Sequence, residues 1–304
     1  MRPLRARSPG ALAMCDQDTL EDGRRYEAAA ALSRRRFSAL TLGAALALTL
    51  PPGVRAAPVQ TRRVVMPGAD GPCDAVFSTP TTGPAPAVLV WPDILGLRPA
   101  FETMGRRLAE AGYAVLTVNP YYRQTPAPVV QAGAQFGQDA VRARVLPLFR
   151  SLSAETTMAD AKAFVDFLDA QPEVDSARPM GTTGYCMGGP MVLQTAAARP
   201  DRVGAGATFH GSRMVAEGDS SPHRLIAQSR ADFLMAIAEN DDSRAPEDKT
   251  VLREALAAAG RPHEVEVYAG ASHGWCAIDS AVYHPELAAR AFWRLLERFK
   301  VALA

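Results

Sequence analysis

The chain has 304 residues, of which 48% are hydrophobic and 21% are charged, and its formal net charge at pH 7 is +1. This composition is typical of a globular enzyme with a large core, and it excludes disordered and fibrous proteins. Because the charges nearly balance, no excess of basic residues is available to bind nucleic acid or an anionic membrane surface. No uncharged apolar run reaches the roughly 18 residues that span a bilayer, and no internal repeat is visible. We therefore expect one soluble domain with no stable membrane span.

Residues 1–57 are predicted to form an N-terminal extension and a twin-arginine signal peptide. In the stretch SRRRFSAL, the pair Arg34 and Arg35 precedes Phe37, and the apolar run ALTLGAALALTL follows before a Pro-Pro-Gly break. A basic region before an apolar region too short to be a stable transmembrane helix is typical of a twin-arginine export signal. The alternative is a basic amphipathic surface segment.

Small residues in the stretch VRAA predict cleavage near Ala56 or Ala57. The true start of translation is either Met1 or Met14, a choice that the sequence leaves open. Cleavage leaves residues 58–304 as a single domain in an oxidising compartment, so we expect a periplasmic or secreted protein. The export machinery and a signal peptidase are then the partners of the precursor.

Strand-like and helix-like segments alternate along residues 58–304. The strand-like runs are RRVVM, DAVF, AVLVWP, YAVLTVNP, GTTGYC, VGAGATFHG, FLMAIAEND and HEVEVYAG. The helix-like segments are AFETMGRRLAEAG, MADAKAFVDFLDAQ, PMVLQTAAAR, PEDKTVLREALAAAG and PELAARAFWRLLERFK. This alternation predicts an α/β fold, a mainly parallel sheet with helices on both faces. Ligands of such sheets gather at the carboxyl ends of the strands, where the chemistry is expected.

The stretch GYCMG, from Gly184 to Gly188, has the pattern of a nucleophile elbow with a cysteine at its centre. The glycines leave room for a strand and a helix to pass closely around a strained nucleophile. The helix that follows directs its positive end toward Cys186, which favours the thiolate, and the N–H of Met187 is free to bind an oxyanion. The alternative is a small buried cysteine selected by close packing.

A nucleophile at such an elbow needs a base and an acid, in the chain order nucleophile, acid, histidine. His273, in GASHGW, follows the last strand-like run and is the expected base. Asp241 and Asp242 are adjacent in AENDD, and we select Asp241 because it comes directly at the strand end. His210, in TFHG, precedes the acid and does not fit this order, so it is either a pocket residue or a core histidine.

These motifs resemble the dienelactone hydrolase family of the α/β-hydrolase superfamily. The resemblance covers most of residues 60–300 and rests on GYCMGG, AENDD, SHGW and WPDILGLRPAFETMGRRLAEAGYAVLTVNPYYR. It implies an α/β-hydrolase fold and a catalytic triad of Cys186, Asp241 and His273.

The resemblance also implies an oxyanion hole made of the backbone N–H groups of Met187 and Ile94. In that family an acidic residue after the third strand region, commonly glutamate, contacts the resting thiol. Here that position holds Asp93, whose side chain is shorter. Tyr122 and Trp275 are further candidates for the pocket.

The expected activity is hydrolysis of a small-molecule carboxylic ester or lactone through an acyl-enzyme, with no metal and no organic cofactor. The chain lacks the motifs H-E-x-x-H, C-x-x-C and G-x-x-x-x-G-K-[ST], which metalloproteases, thioredoxin-like proteins and P-loop proteins require. Two alternatives remain: an exported non-catalytic binding protein of the same fold, and a redox thiol protein.

Two further expectations concern the substrate and the cysteines. In the family that this chain resembles, arginines hold the carboxylate of the substrate, and one of them lies shortly after the catalytic histidine. Here the loop HGWCAIDSAVY has no arginine and carries Asp279, so we expect a preference for neutral esters or lactones over anionic ones. Export leaves Cys73, Cys186 and Cys276, and we predict that Cys186 remains a free thiol. A disulfide between Cys186 and Cys276 is the alternative.

Overall fold

The computed structural model describes residues 56–219 and 221–304. The predicted twin-arginine motif and both candidate start codons lie outside the described residues. The strands are β1 (Val59–Gly68), β2 (Gly71–Pro80), β3 (Ala87–Trp91), β4 (Ala114–Val118), β5 (Met180–Tyr185), β6 (Val203–Phe209), β7 (Asp232–Ala238) and β8 (His263–Tyr268). The helices are α1 (Pro99–Glu110), α2 (Asp139–Arg150), α3 (Ala154–Asp169), α4 (Gly188–Ala198), α5 (Pro222–Leu225), α6 (Glu239–Arg244), α7 (Asp248–Ala258) and α8 (Pro285–Ala302), with a 3-10 turn at Ile226–Gln228.

The strands form one eight-stranded sheet in the order β1-β2-β4-β3-β5-β6-β7-β8. Strand β2 is antiparallel to both of its neighbours, and every other pair in the sheet is parallel. The predicted α/β architecture with a mainly parallel sheet is therefore confirmed. Because β3, β5, β7 and β8 run in the same direction, the loops that follow them meet at one edge of the sheet.

Two hydrophobic cores lie on opposite faces of the sheet and are separated by the alternation of side chains along each strand. In β3, for example, Leu89 and Trp91 belong to one core, and Val88 and Val90 belong to the other. Helices α3, α4 and α7 cover the first core, whereas α1 and α8 cover the second. The continuous apolar run of β3 is thus explained by burial on both faces.

Three helices are absent from the sequence prediction: α2, α6 and the four-residue α5. Strand β7 ends at Ala238, and the residues Glu239–Arg244 form the short helix α6 instead of extending the strand. Their acidic side chains lie in the first turn of that helix, where negative charge stabilises the helix by interacting with the positive end of its dipole. Helix α2 is missing from the sequence prediction because Pro147, a poor residue for a helix interior, lies inside it.

Candidate active site

Cys186 lies directly after β5, at a turn whose geometry requires the two flanking glycines. Its φ of +53° is in the left-handed region, which a residue with a side chain adopts only at a cost. A Cβ on Gly184 would lie 2.0 Å from the carbonyl oxygen of Gly188, and a Cβ on Gly188 would lie 2.4 Å from that of Trp91. The predicted elbow geometry is therefore confirmed, and the elbow is in contact with the end of β3.

Helix α4 starts at Gly188, two residues after Cys186, so its N-terminal end lies at the elbow. Met187 is the N-cap residue of this helix, and the amides of a first turn have no acceptor within the helix. The N–H of Gly189 donates to the carbonyl oxygen of Cys186 at 3.0 Å, which tightens the turn. The half-buried thiol of Cys186 thus lies at the positive end of the helix dipole.

Asp241 and His273 meet at the same edge of the sheet. The Nδ1 atom of His273 lies 2.7 Å from Oδ2 of Asp241, and the backbone N–H of His273 donates to Oδ1 of Asn240 at 2.9 Å. Helix α6 therefore fixes both the ring and the loop of His273. Of the two adjacent acids, Asp241 contacts the histidine, whereas the carboxylate of Asp242 pairs with Lys249 at 2.7 Å.

His273 also lies close enough to Cys186 for the two side chains to interact electrostatically. Burial alone would lower the pKa of His273, but the negative charges of Cys186 and Asp241 outweigh it and hold that pKa well above its ordinary value. The arrangement therefore favours the protonated form of the His273 ring.

Ser212 is a residue of this site that the sequence analysis missed. Its Oγ lies 3.6 Å from Sγ of Cys186, within hydrogen-bonding distance for sulfur. Its backbone N–H donates to the carbonyl oxygen of Cys186 at 3.0 Å. A signal was present, because Ser212 follows β6 and β6 pairs with β5, the strand that carries the elbow.

His210 is fully buried behind His273. The two ring centroids are 4.9 Å apart in an edge-on arrangement, and Trp275 packs on His210 with centroids 5.1 Å apart. Burial, and secondarily the charge of His273, hold the pKa of His210 well below its ordinary value, so its ring is neutral. Trp275 is itself fully buried and stacked on Tyr268. His210 and Trp275 are therefore buried residues of the core. His210 contacts the ring of His273, and Trp275 contacts His210.

Asp93 is bound by its own loop. Arg98 donates to both of its carboxylate oxygens, at 2.7 and 2.9 Å, and the N–H of Leu95 donates to Oδ1 at 2.9 Å. The same guanidinium donates to both carboxylate oxygens of Asp279, at 2.7 and 2.8 Å. Arg98 therefore joins the loop after β3 to the loop after His273, and the charge of Asp279 is compensated. No sequence signal connects Arg98 with Asp279, which is 181 residues away.

Ile94 and Met187, the two residues expected to supply the oxyanion hole, are connected by a buried tyrosine. The hydroxyl of Tyr121 donates to the carbonyl oxygen of Ile94 at 2.9 Å and lies 3.1 Å from the sulfur of Met187. Tyr121 is fully buried, so it is in a position to fix the spacing between the loop after β3 and the start of α4.

Tyr122 points elsewhere. Its hydroxyl donates to Oδ1 of Asp160 at 2.6 Å and accepts from the N–H of Asp70 at 3.2 Å. Asp160 is a buried residue of α3 that also pairs with Arg123. This network attaches the hairpin of β1 and β2 to α3, and the hydroxyl of Tyr122 is bound there and not at the thiol.

The cysteines at positions 73, 186 and 276 are all unbridged. Cys276 is fully enclosed in the core covered by α1 and α8. Within residues 56–219 and 221–304, no three histidine, cysteine or acidic side chains are grouped as metal ligands would be. None of the helices in this part of the chain combines the length and apolarity of a membrane span.

Known proteins share this arrangement of elements. The family model described as "Dienelactone hydrolase family" matches residues 73–303. A candidate carboxymethylenebutenolidase of Methylorubrum extorquens is 29% identical over 293 residues, covering 92% of this chain and 96% of its own. The carboxymethylenebutenolidase of Rhodococcus opacus is 29% identical over 226 residues, and the match covers 73% of this chain and 82% of the relative.

The crystal structure of a candidate dienelactone hydrolase from Klebsiella pneumoniae subsp. pneumoniae is similar, with a TM-score of 0.68 and 22% identity. The match covers 80% of this chain and 99% of the Klebsiella chain. This similarity establishes the α/β-hydrolase fold. The family and the homologues indicate that the protein is a hydrolase. The chain belongs to the dienelactone hydrolase family.

Proposed function

We propose that the protein hydrolyses carboxylic esters or lactones with Cys186 as the nucleophile, His273 as the base and Asp241 as the acid that orients it. One observation carries the proposal: a cysteine at a strained elbow interacts electrostatically with a histidine whose Nδ1 atom lies 2.7 Å from a carboxylate. Nucleophile, base and orienting acid in mutual hydrogen-bond reach are the requirement for covalent acyl transfer.

In the proposed reaction, the thiolate of Cys186 attacks the carbonyl carbon, and the carbonyl electron pair moves onto oxygen. The N–H groups of Met187 and Ile94 stabilise this oxyanion. When the tetrahedral intermediate collapses, the alkoxide leaves with the proton of His273 and a thioester remains on Cys186. A water molecule then gives a proton to His273 and attacks the thioester. Collapse of that second intermediate releases the carboxylic acid and the thiolate.

A comparison of ester hydrolysis by the wild type and two cysteine variants tests this proposal. Cys186→Ala should abolish turnover of a chromogenic short-chain ester. Cys73→Ala is the matched control, because Cys73 lies in β2, away from the elbow, and it should retain full turnover. Loss of turnover with Cys186 alone also excludes the non-catalytic binding protein and the redox thiol protein. Undiminished turnover by Cys186→Ala would contradict the proposal.

We further propose that the substrate is neutral. The guanidinium of Arg98 already donates to two carboxylates, Asp93 and Asp279. All three of its nitrogens are used in these bonds, so Arg98 is a poor partner for a substrate anion. The cost of lacking one charge-assisted contact corresponds to about tenfold or more in kcat/KM. Comparing neutral esters with dienelactone carboxylates at fixed ionic strength tests this, and a preference for the anion by that factor would contradict it.

Export through the twin-arginine pathway, to the periplasm or beyond, is also a proposal. It rests on the Arg34–Arg35 pair, the apolar run behind it and the small residues at Ala56 and Ala57. Replacing both arginines by lysine retains the charge but removes the guanidinium pair, so the precursor should accumulate in the cytoplasm. Normal export of that double variant would mean that another signal is used.

A further inference from the structure

Residues 210–213 form a strained loop that touches the nucleophile elbow from the side of β6. His210 and Arg213 have positive φ angles of +42° and +56°. Together with Cys186 they are the non-glycine residues with positive φ in the described part of the chain. Such backbone conformations persist where the surrounding contacts enforce them, and they are concentrated at functional sites.

The contacts that enforce this loop are made with the elbow itself. A Cβ on Gly189 would lie 2.5 Å from the Cα atom of Gly211, so the loop packs against the first turn of α4. The N–H of Ser212 donates to the carbonyl oxygen of Cys186. The loop is therefore held so that the Ser212 hydroxyl lies beside the sulfur.

Two other polar groups at this end of the sheet, Asp93 and Tyr121, are already bound to different partners. Asp93 accepts from Arg98 and from the N–H of Leu95. The hydroxyl of Tyr121 donates to the carbonyl oxygen of Ile94. Within the described residues, Ser212 thus has the side chain that lies within hydrogen-bonding distance of the thiol sulfur, and His273 interacts with Cys186 electrostatically.

We propose that Ser212 is a catalytic hydroxyl that donates a hydrogen bond to the Cys186 thiolate and holds Sγ next to His273. The proposal deepens the cysteine mechanism and rests on it. The proton remains on Ser212 throughout, because the hydroxyl only stabilises the charge and His273 carries the transferred proton. When the sulfur attacks a carbonyl carbon, its charge moves to the oxyanion, and the hydroxyl is released from that role.

Removal of this hydroxyl should make the sulfur less reactive at neutral pH. The titratable groups that interact with Cys186 are His273 and Tyr121; His273 in turn interacts with Asp241 and His210, and Tyr121 with Asp93 and Arg98. All of them are retained when Ser212 is replaced, so a change in thiol reactivity reports on the hydroxyl. Because a hydrogen bond to a charged group contributes more than one between neutral groups, its loss should slow alkylation of the sulfur about tenfold.

The test is the rate at which iodoacetamide alkylates Cys186 in the substrate-free full-length protein across a range of pH, followed by mass spectrometry of the Cys186 peptide. We expect Ser212→Ala to react about tenfold more slowly than wild type near neutral pH, and to approach wild type at alkaline pH. Ser212→Thr retains the hydroxyl and should restore most of the neutral-pH rate. Ser151→Ala, at the end of α2, is the matched control and should match wild type.

A wild-type alkylation rate for Ser212→Ala at every pH would overturn the proposal. So would an equal, pH-independent loss in the alanine and threonine variants, since that pattern indicates a packing role. Circular dichroism of each variant shows whether the fold is retained. Alkylation needs no substrate, so this result is separate from the cysteine mechanism: that mechanism fails if Cys186→Ala still turns over ester, whatever Ser212 does.

Discussion

Replacement of Arg98 by methionine should destabilise the protein strongly, because it leaves a buried carboxylate without its partner. Arg98 and Asp93 are 5% and 9% exposed, and the guanidinium contacts both oxygens of Asp93. Breaking a buried ion pair from one side costs roughly 3–5 kcal/mol. The carboxylate of Asp279 is 32% exposed and can be solvated after the change. Loss of its contact with Arg98 should therefore lower the free energy of unfolding by only about 0–1 kcal/mol. The expected loss in the free energy of unfolding is therefore about 3–5 kcal/mol.

Urea denaturation of wild type and variants measures this loss directly. For a domain of this size, the same loss lowers Tm by roughly 10 °C. Arg98→Met combined with Asp93→Asn removes the uncompensated charge and should recover a large part of the stability. Asp279→Asn alone should cost about 1 kcal/mol or less. A loss below about 1 kcal/mol for Arg98→Met, or an Asp279→Asn loss as large as that of Arg98→Met, would refute the reasoning.

Three further predictions concern the elbow, the histidine and the oxyanion region. Gly184→Ala should fail to give stable native protein in a thermal melt, because its Cβ would lie 2.0 Å from a carbonyl oxygen. Gly137→Ala is the control and should melt like wild type, because a Cβ at that position would have no atom within 4 Å. In Cys186→Ala the pKa of His273 should fall, since the thiolate charge that outweighs burial is gone; NMR titration of the ring measures it, and an unchanged midpoint would contradict the ion pair. Tyr121→Phe should lower kcat for ester hydrolysis about tenfold with little change in KM, because its hydroxyl bond to the loop after β3 is lost; an unchanged kcat would contradict a positioning role.

The sheet, most of its helices and the elbow could be predicted from the sequence, because each depends on local patterns. The apolar run of β3 and the glycine spacing around Cys186 are readable within a dozen residues, and the structure agrees with both. The sequence predicts that Asp241 lies at a strand end, yet it lies in α6, a helix of six residues that is too short to leave a periodic pattern.

The contacts between loops could not be predicted, because they depend on how distant segments meet at the sheet edge. Ser212 reaches the sulfur because β6 pairs with β5. Arg98 joins Asp93, in the loop after β3, to Asp279, in the loop after His273. The side chain of Tyr122 turns toward Asp160 although its neighbour Tyr121 contacts the site. Adjacent residues in a loop can face opposite directions, and no periodicity in the sequence decides which one does so.

The nucleophilic role of Cys186 is tested most directly by trapping the acyl-enzyme. The full-length protein is mixed with an activated ester, quenched in acid within the first turnovers, and analysed by intact mass and peptide mapping. We expect one acyl group per chain, attached to the Cys186 peptide, and no adduct in Cys186→Ala. Steady turnover of the ester with no adduct on Cys186, or with the acyl group on another residue, would contradict the proposed mechanism.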